Sequence, residues 1–328
     1  MLAEPAQSSD FKALTREVYE YKRATYAVST KVTYGSQLLC YLRFCIYFGR
    51  PPIPVDQLTL LTYTAFLARG LKPSSIPPYL NIIRIIHCER GYPNPLQNNF
   101  ELLCLKKGIA RLHGTPAVQK LPITTDILLR VKSVLSDDSF DKVFWSCLLI
   151  GFFGFFRKAT LLPRSATNFG SCILIRDLHI MDCESFKITL HRTKTIQFGQ
   201  RVLEVPFCAA PAGSVLCPMV ALRAHLALLP ADTTQPLFSF QLGDVTVVIT
   251  HAAFVKRLRD ILTVLGFQPS KYSGHFLRRG GATHAFNVGL SPFLIKCRGD
   301  WASSCFERYV CVNAKQSLLA ARALTMVE

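Results

Sequence analysis

Acidic residues are scarce in this sequence: 21 Asp and Glu stand against 38 Lys and Arg, a formal charge of +17. A surplus that large points to a polyanionic partner, with DNA or RNA first, against the plainer reading of a soluble protein that is merely basic. The few carboxylates form no metal-type cluster. The twelve cysteines include no CxxC pair and no Cys/His group at zinc spacing. That argues against a zinc site and for buried reduced thiols, as at Cys40, Cys45 and Cys147, over a disulfide framework. Met1 to Asp10 is polar and lacks the apolar core of a signal peptide. A bilayer-length apolar run is also missing. Val143 to Phe156 is nearly all apolar but covers 14 residues, short of the roughly 18 to 20 that span a membrane. It runs directly into Arg157 and Lys158, so it reads as a buried core helix that delivers an arginine to a pocket. No internal repeat and no low-complexity tract occurs.

What is present is half apolar and 328 residues long, enough to bury a core and to make two domains. Residues 1–10 are expected to be disordered. Residues 11–115 read as a helical unit. Ser29 or Thr30 can cap a helix that passes Leu38, Leu42 and Cys45 and stops at Gly49. A second helix fits Asp56 to Ala68. A third starts near Ser75, with Pro77 and Pro78 tolerable only in its first turn. A fourth runs from about Asn98 to Leu112. Residues 116–121 read as a linker and 122–328 as the second domain. That domain opens with helices, one of them starting at Thr125. Ile173 to Ile180, Phe186 to His191 and Arg201 to Pro206 then alternate like an antiparallel sheet. Helices return at Met219 to Leu229 and His251 to Leu265 and fill the C-terminal part.

The informative stretch is Gly274 to Val310. His275, Arg278 and Arg279 share one face of a helix. Gly280, Gly281 and Ala282 permit close packing of another element. Ser291 and Pro292 open a helix that ends near Gly299, followed at once by Asp300 and Trp301. Ser304 and Glu307 have capping-box spacing, so a last helix is expected there with Tyr309 in an early turn.

His275-Phe-Leu-Arg278-Arg279, then Gly299-Asp300-Trp301, then Tyr309 eight residues after the tryptophan, resembles the C-terminal signature of the tyrosine recombinase (phage integrase) family. Arg157 after Gly154-Phe-Phe matches that family's first arginine. Lys194, in His191-Arg192-Thr193-Lys194-Thr195, matches its hairpin lysine. The resemblance covers nearly the whole chain. The wording of segments such as Gly299 to Tyr309 is closest to recombinases of DIRS-type and crypton mobile elements. It implies a mainly α fold with a small antiparallel sheet, a two-domain clamp around duplex DNA with a helical core-binding domain and an integrase-like catalytic domain. It implies site-specific recombination through a 3′-phosphotyrosine bond at Tyr309, without cofactor or metal. Arg157 and Arg278 would clamp the phosphate, Lys194 would protonate the leaving 5′ oxygen, and His275 would take the tyrosine proton or orient the phosphate. Trp301 stands where relatives have histidine; its indole N–H donates but is no acid or base near neutral pH. The resemblance further implies action in the nucleus if the chain serves a eukaryotic mobile element, otherwise intracellular action with access to DNA, and a homo-tetramer on paired sites. The C-terminal tail from Asn313 to Met326 would dock on a neighbouring protomer or pack on its own domain.

Each residue alone is weak. An isolated tyrosine on a helix is usually core, and an arginine after an apolar helix can simply mark its end. Order and context together carry the reading. One departure is Thr160, where many relatives place an acid behind the first arginine; Asp182, Glu184 or Glu204 are substitutes. Lys31, Arg43, Lys106, Lys107, Arg111, Arg192 and Arg279 are candidate DNA contacts, with a solvated basic face as their alternative. The rival functions are relaxation by a type IB topoisomerase and a domesticated DNA-binding protein without catalysis.

Overall fold

The computed structural model describes residues 8–116, 120–272 and 274–310, together with 318, 321, 322 and 325. Two compact units divide the chain, Met1–Val118 and Gln119–Glu328.

The first unit is helical throughout: α1 (Ser8–Ala24), α2 (Val28–Tyr47), α3 (Gln57–Ala68), α4 (Ile76–Glu89) and α5 (Phe100–His113). Helix α1 begins inside the ten residues expected to be disordered. Helix α2 starts before the expected Ser29 or Thr30 cap, because the carbonyl of Ala27 already accepts the amides of Thr30 and Lys31. Asp56 caps α3 and Asn99 caps α5, each through a side-chain oxygen that accepts a first-turn amide. Pro77 and Pro78 sit at the start of α4, where no intrahelical amide is lost. Tyr41, Tyr63, Leu80 and Ile83 meet in the core of this unit.

The second unit contains α6 (Thr125–Ser133), α7 (Ser139–Phe153) and the short α8 (Lys158–Leu161), followed by β1 (Leu178–Ile180), β2 (Ser185–Leu190) and β3 (Leu203–Cys208). Then come α9 (Pro218–Leu226), β4 (Ser239–Leu242), β5 (Val245–Val248), α10 (His251–Val264), α11 (Phe276–Asn287) and α12 (Pro292–Arg298). The expected strand from Ile173 survives only as β1. Asp177 turns its carboxylate back to the amide of Leu174 at 2.9 Å and winds Ile175–Asp177 into a 3-10 turn. Strands β1, β2 and β3 form one antiparallel sheet in that order. Phe186 and Ile188 of β2 and Val205 and Phe207 of β3 face the core, and Lys187 and Glu204 pair on the outer face. The β4–β5 hairpin was not anticipated; it turns at Gly243, whose φ is +58°.

Helix α7 is the centre of this unit. Val143 to Phe152 are all buried, as expected for a helix that is apolar all round. Asp141, only 1 % exposed, is held in its first turn by the Arg257 guanidinium of α10. Helix α11 packs on α7 through the expected small residues. A Cβ on Gly281 would lie 2.0 Å from the carbonyl oxygen of Phe152, and one on Gly280 would lie 2.1 Å from that of Ile123. Only glycine lets the backbones meet there.

Candidate active site

Arg278 projects from the first turns of α11 into the unit and is 3 % exposed. Its guanidinium donates to the carbonyls of Phe155, at 2.7 Å, and Gly299, at 2.5 Å. Each acceptor belongs to a turn with a non-glycine residue in the left-handed region. Phe155 itself has φ +53°, and Asp300, next to Gly299, has the same value. Such residues cost backbone energy and persist only where the surroundings enforce them. The Trp301 ring lies under the guanidinium, 3.8 Å from its Cζ. Among the described residues no carboxylate bonds Arg278. Burial, and then the charge of Arg157, lowers its pKa to about 9, so it remains a cation at neutral pH. The Nε of Arg278 and the Nε1 of Trp301 are buried donors without an acceptor among the described residues.

Tyr309 closes the 3-10 turn Ser304–Arg308, which replaces the helix expected from Ser304. The cap is Ser303, whose hydroxyl accepts the amide of Cys305. The Tyr309 ring rests beside Trp301, with centroids 5.4 Å apart, and beside the His275 ring at 5.9 Å. Its hydroxyl stands 3.5 Å from His275 Nδ1. Phe155, Ala282, Ile295, Trp301 and Phe306 form a small core of their own beneath this group. A cavity of about 280 Å³ opens beside it, lined by Lys120, His275, Arg279, Arg308 and Tyr309. His275 precedes α11 as its N-cap residue. Its pKa is lowered by burial first, then by Arg157, Arg278, Lys194 and Lys158. The imidazole is therefore neutral near pH 7 and able to accept a proton.

Arg157 does not end the apolar helix, as the sequence suggested. Helix α7 stops at Phe153, the chain turns through Gly154 to Phe156, and Arg157 becomes the N-cap residue of α8. Thr160 is buried, and its amide bonds the Arg157 carbonyl. None of the three proposed acids is paired with Arg157. Asp182 bonds Ser185 and the Glu184 amide, and Glu204 holds Lys187. Lys194 lies in the loop between β2 and β3, residues 191–202, exposed to solvent. Thr193 beside it lines a narrow recess with Arg157, Thr160, Arg278 and Asp300.

The structure thus brings Arg157, His275, Arg278, Trp301 and Tyr309 together, and the charge of Lys194 reaches His275 from its loop. Arg279, expected either to contact phosphate or to face solvent, lines the cavity beside Tyr309. Its guanidinium donates to the carbonyls of Lys120, at 2.5 Å, and Arg308, at 2.7 Å, since those carbonyls need donors. Arg192 is exposed on the Lys194 loop. Lys31 and Arg43 are exposed on α2, and Lys107 and Arg111 on α5, with Lys106 half-buried beside them. In the expected tail, Leu318 is helical and exposed, whereas Leu319 and Leu324 lie outside the described residues. Sequence reasoning missed Lys158, whose charge reaches His275, and the role of Asp300. The carboxylate of Asp300 takes bonds from Thr193, Thr195 and Arg201. Among the described residues no group of three or more His, Cys, Asp or Glu could hold a metal ion, and no helix is long and apolar enough to cross a membrane.

No protein-family model matches the sequence, and no curated relative matches it. Solved structures do. The Tn1549 transposon integrase in complex with transposon right-end DNA aligns with a TM-score of 0.60 at 12% identity, over 93% of this chain and 96% of that one. The XerH site-specific recombinase in a post-cleavage complex with palindromic difH substrate aligns with a TM-score of 0.57 at 18% identity, over 83% and 72%. The fold, mainly helical with small antiparallel sheets, is that of the two-domain tyrosine recombinases.

Proposed function

We propose that this chain, carrying the tyrosine recombinase fold, is a site-specific DNA recombinase that cuts and rejoins DNA through Tyr309. One observation carries the reading. A tyrosine hydroxyl and a neutral imidazole stand 3.5 Å apart, beside a buried guanidinium that no carboxylate bonds. A cation withdrawn from water needs a counter-anion, and a DNA phosphate supplies one.

In the proposed step the Tyr309 oxygen attacks the phosphorus and its proton passes to His275. The bond from phosphorus to the 5′ oxygen breaks, and that oxygen takes a proton from the Lys194 ammonium. Arg157 and Arg278 bear the charge of the pentacoordinate state. Trp301 holds the Arg278 guanidinium and the tyrosine ring in place. A second 5′ hydroxyl reverses the step on a new strand, so no phosphodiester energy is lost. Recombination then joins two DNA sites in a tetramer. The sequence resemblance of Gly299 to Tyr309 to DIRS-type and crypton recombinases supports work for a mobile element in the nucleus.

The test is a nicked duplex library of random sequence, from which covalent protein–DNA adducts are isolated on denaturing gels. Wild type yields adducts and Tyr309→Phe yields none. A wild type that forms no adduct on any sequence defeats the proposal. Relaxation of supercoiled DNA without pairing of sites would assign a type IB topoisomerase instead.

A further inference from the structure

Proton donation to a departing oxygen requires the donor within hydrogen-bond reach, yet Lys194 is carried by an irregular loop, residues 191–202. Part of that loop is self-supporting. The Thr193 hydroxyl accepts the amides of Thr195 and Ile196, each at 3.1 Å, and Gln200 donates to the carbonyl of Thr195 at 3.0 Å. Those bonds shape the loop without fixing it to the catalytic wall. Asp300 does that. One of its oxygens receives the hydroxyls of Thr193 and Thr195, the two residues that flank Lys194. Its other oxygen receives Arg201, at the far end of the loop.

Asp300 is itself fixed. It lies between Gly299, whose carbonyl holds Arg278, and Trp301, which underlies Arg278. Its backbone is left-handed, with φ +53°, and its carboxylate is largely shielded, its side chain being 11% exposed. A half-buried acid thus stands in a left-handed turn of a cation-rich site, where its charge answers that of Arg201.

We propose that Asp300 is a positioning residue that latches the Lys194 loop to the arginine–tyrosine wall, so that the proton donor meets the leaving 5′ oxygen. The latch rests on the cleavage reading above. Asp300 touches no reacting atom; it acts through Thr193, Thr195 and Arg201. The three contacts hold the loop on both sides of the lysine, so loss of any one loosens it.

A leaving-group substitution tests this. The sequence recovered from wild-type adducts is synthesised twice, once with the ordinary 5′ oxygen at the cleaved linkage and once with sulfur there. A thiolate departs without a proton, since thiols are far stronger acids than alcohols, so the sulfur substrate has no need of Lys194. Asp300→Asn removes the charge while asparagine tolerates the left-handed backbone. Thr195→Val breaks the latch from the other side with little change of shape.

On the oxygen substrate both variants are expected to form adducts on the order of a hundredfold more slowly, the scale of a misplaced general acid. On the sulfur substrate both return to within a few-fold of wild type, as does Lys194→Ala, whereas Tyr309→Phe stays inactive on both. Wild-type rates on oxygen for Asp300→Asn would overturn the latch. So would an equal loss on oxygen and sulfur, which is the mark of a merely structural role. Absence of wild-type adducts on both substrates would instead sink the cleavage reading, and the latch with it.

Discussion

Four cations, Arg157, Arg278, Lys194 and Lys158, act on His275 and, together with burial, hold its pKa below the ordinary 6.5. Only the neutral imidazole accepts the tyrosine proton. Adduct formation should therefore fall as pH drops through a value below 6.5. Replacing Lys158 by Gln removes one of these charges, and the acid limb of the rate profile should move up towards 6.5. The sign for stability is the same. The unfolded chain protonates His275 first, so the fold loses this contribution as pH falls below 6.5, which thermal melts across pH 5 to 7 would register. Gly299 gives a second residue-scale prediction. A Cβ there would lie 1.7 Å from the Trp301 ring. Gly299→Ala should push the ring from beneath Arg278 and cost about 1–3 kcal/mol by overpacking, seen as a lower melting temperature together with weaker adduct formation.

Helix α11 carries Arg278 on one side and the glycines of its packing surface on the other. Thr283 bonds the Tyr309 carbonyl at 3.1 Å and Arg279 bonds that of Arg308, so α11 holds the turn of Tyr309 by its backbone. Arg279→Leu should leave the Arg308 carbonyl short of a donor, at a cost of about 1–3 kcal/mol. Faster amide exchange over residues 304–310, with α7 still protected, would show that the loss is local. Elements such as α3, α4 and α5 were legible in the sequence because caps or prolines and apolar spacing agree at their starts. The 3-10 turns were not, since Asp177 and Ser303 override the strand and helix patterns by bonding nearby amides. The order of Arg157, Lys194, His275, Arg278, Trp301 and Tyr309 was legible as a motif. Asp300 and Arg279 were not, because their partners lie far along the chain and leave no local pattern.

For the whole molecule, the charge of +17 bears most on the proposed association with DNA. If the exposed Lys107 and Arg111 of α5 each meet a phosphate, replacing both with Gln should make the slope of log affinity against log salt shallower by about 1.8. An unchanged slope in a fluorescence titration would return them to a solvated face. Thr160 and the unpaired Arg157 have a further consequence for the resting protein. A pocket in which Arg157 and Arg278 outnumber the one carboxylate, Asp300, that is already engaged by Arg201 keeps the unliganded fold under electrostatic repulsion. Sulfate or inorganic phosphate should relieve it, raising the melting temperature beyond what chloride does at equal ionic strength, because a ligand that prefers the folded state stabilises it by mass action. Arg278→Met should lose most of that increment. On the proposed function the same anions would then compete with DNA for the pocket, and the concentration of free phosphate around the protein would become a brake on how often it engages a strand.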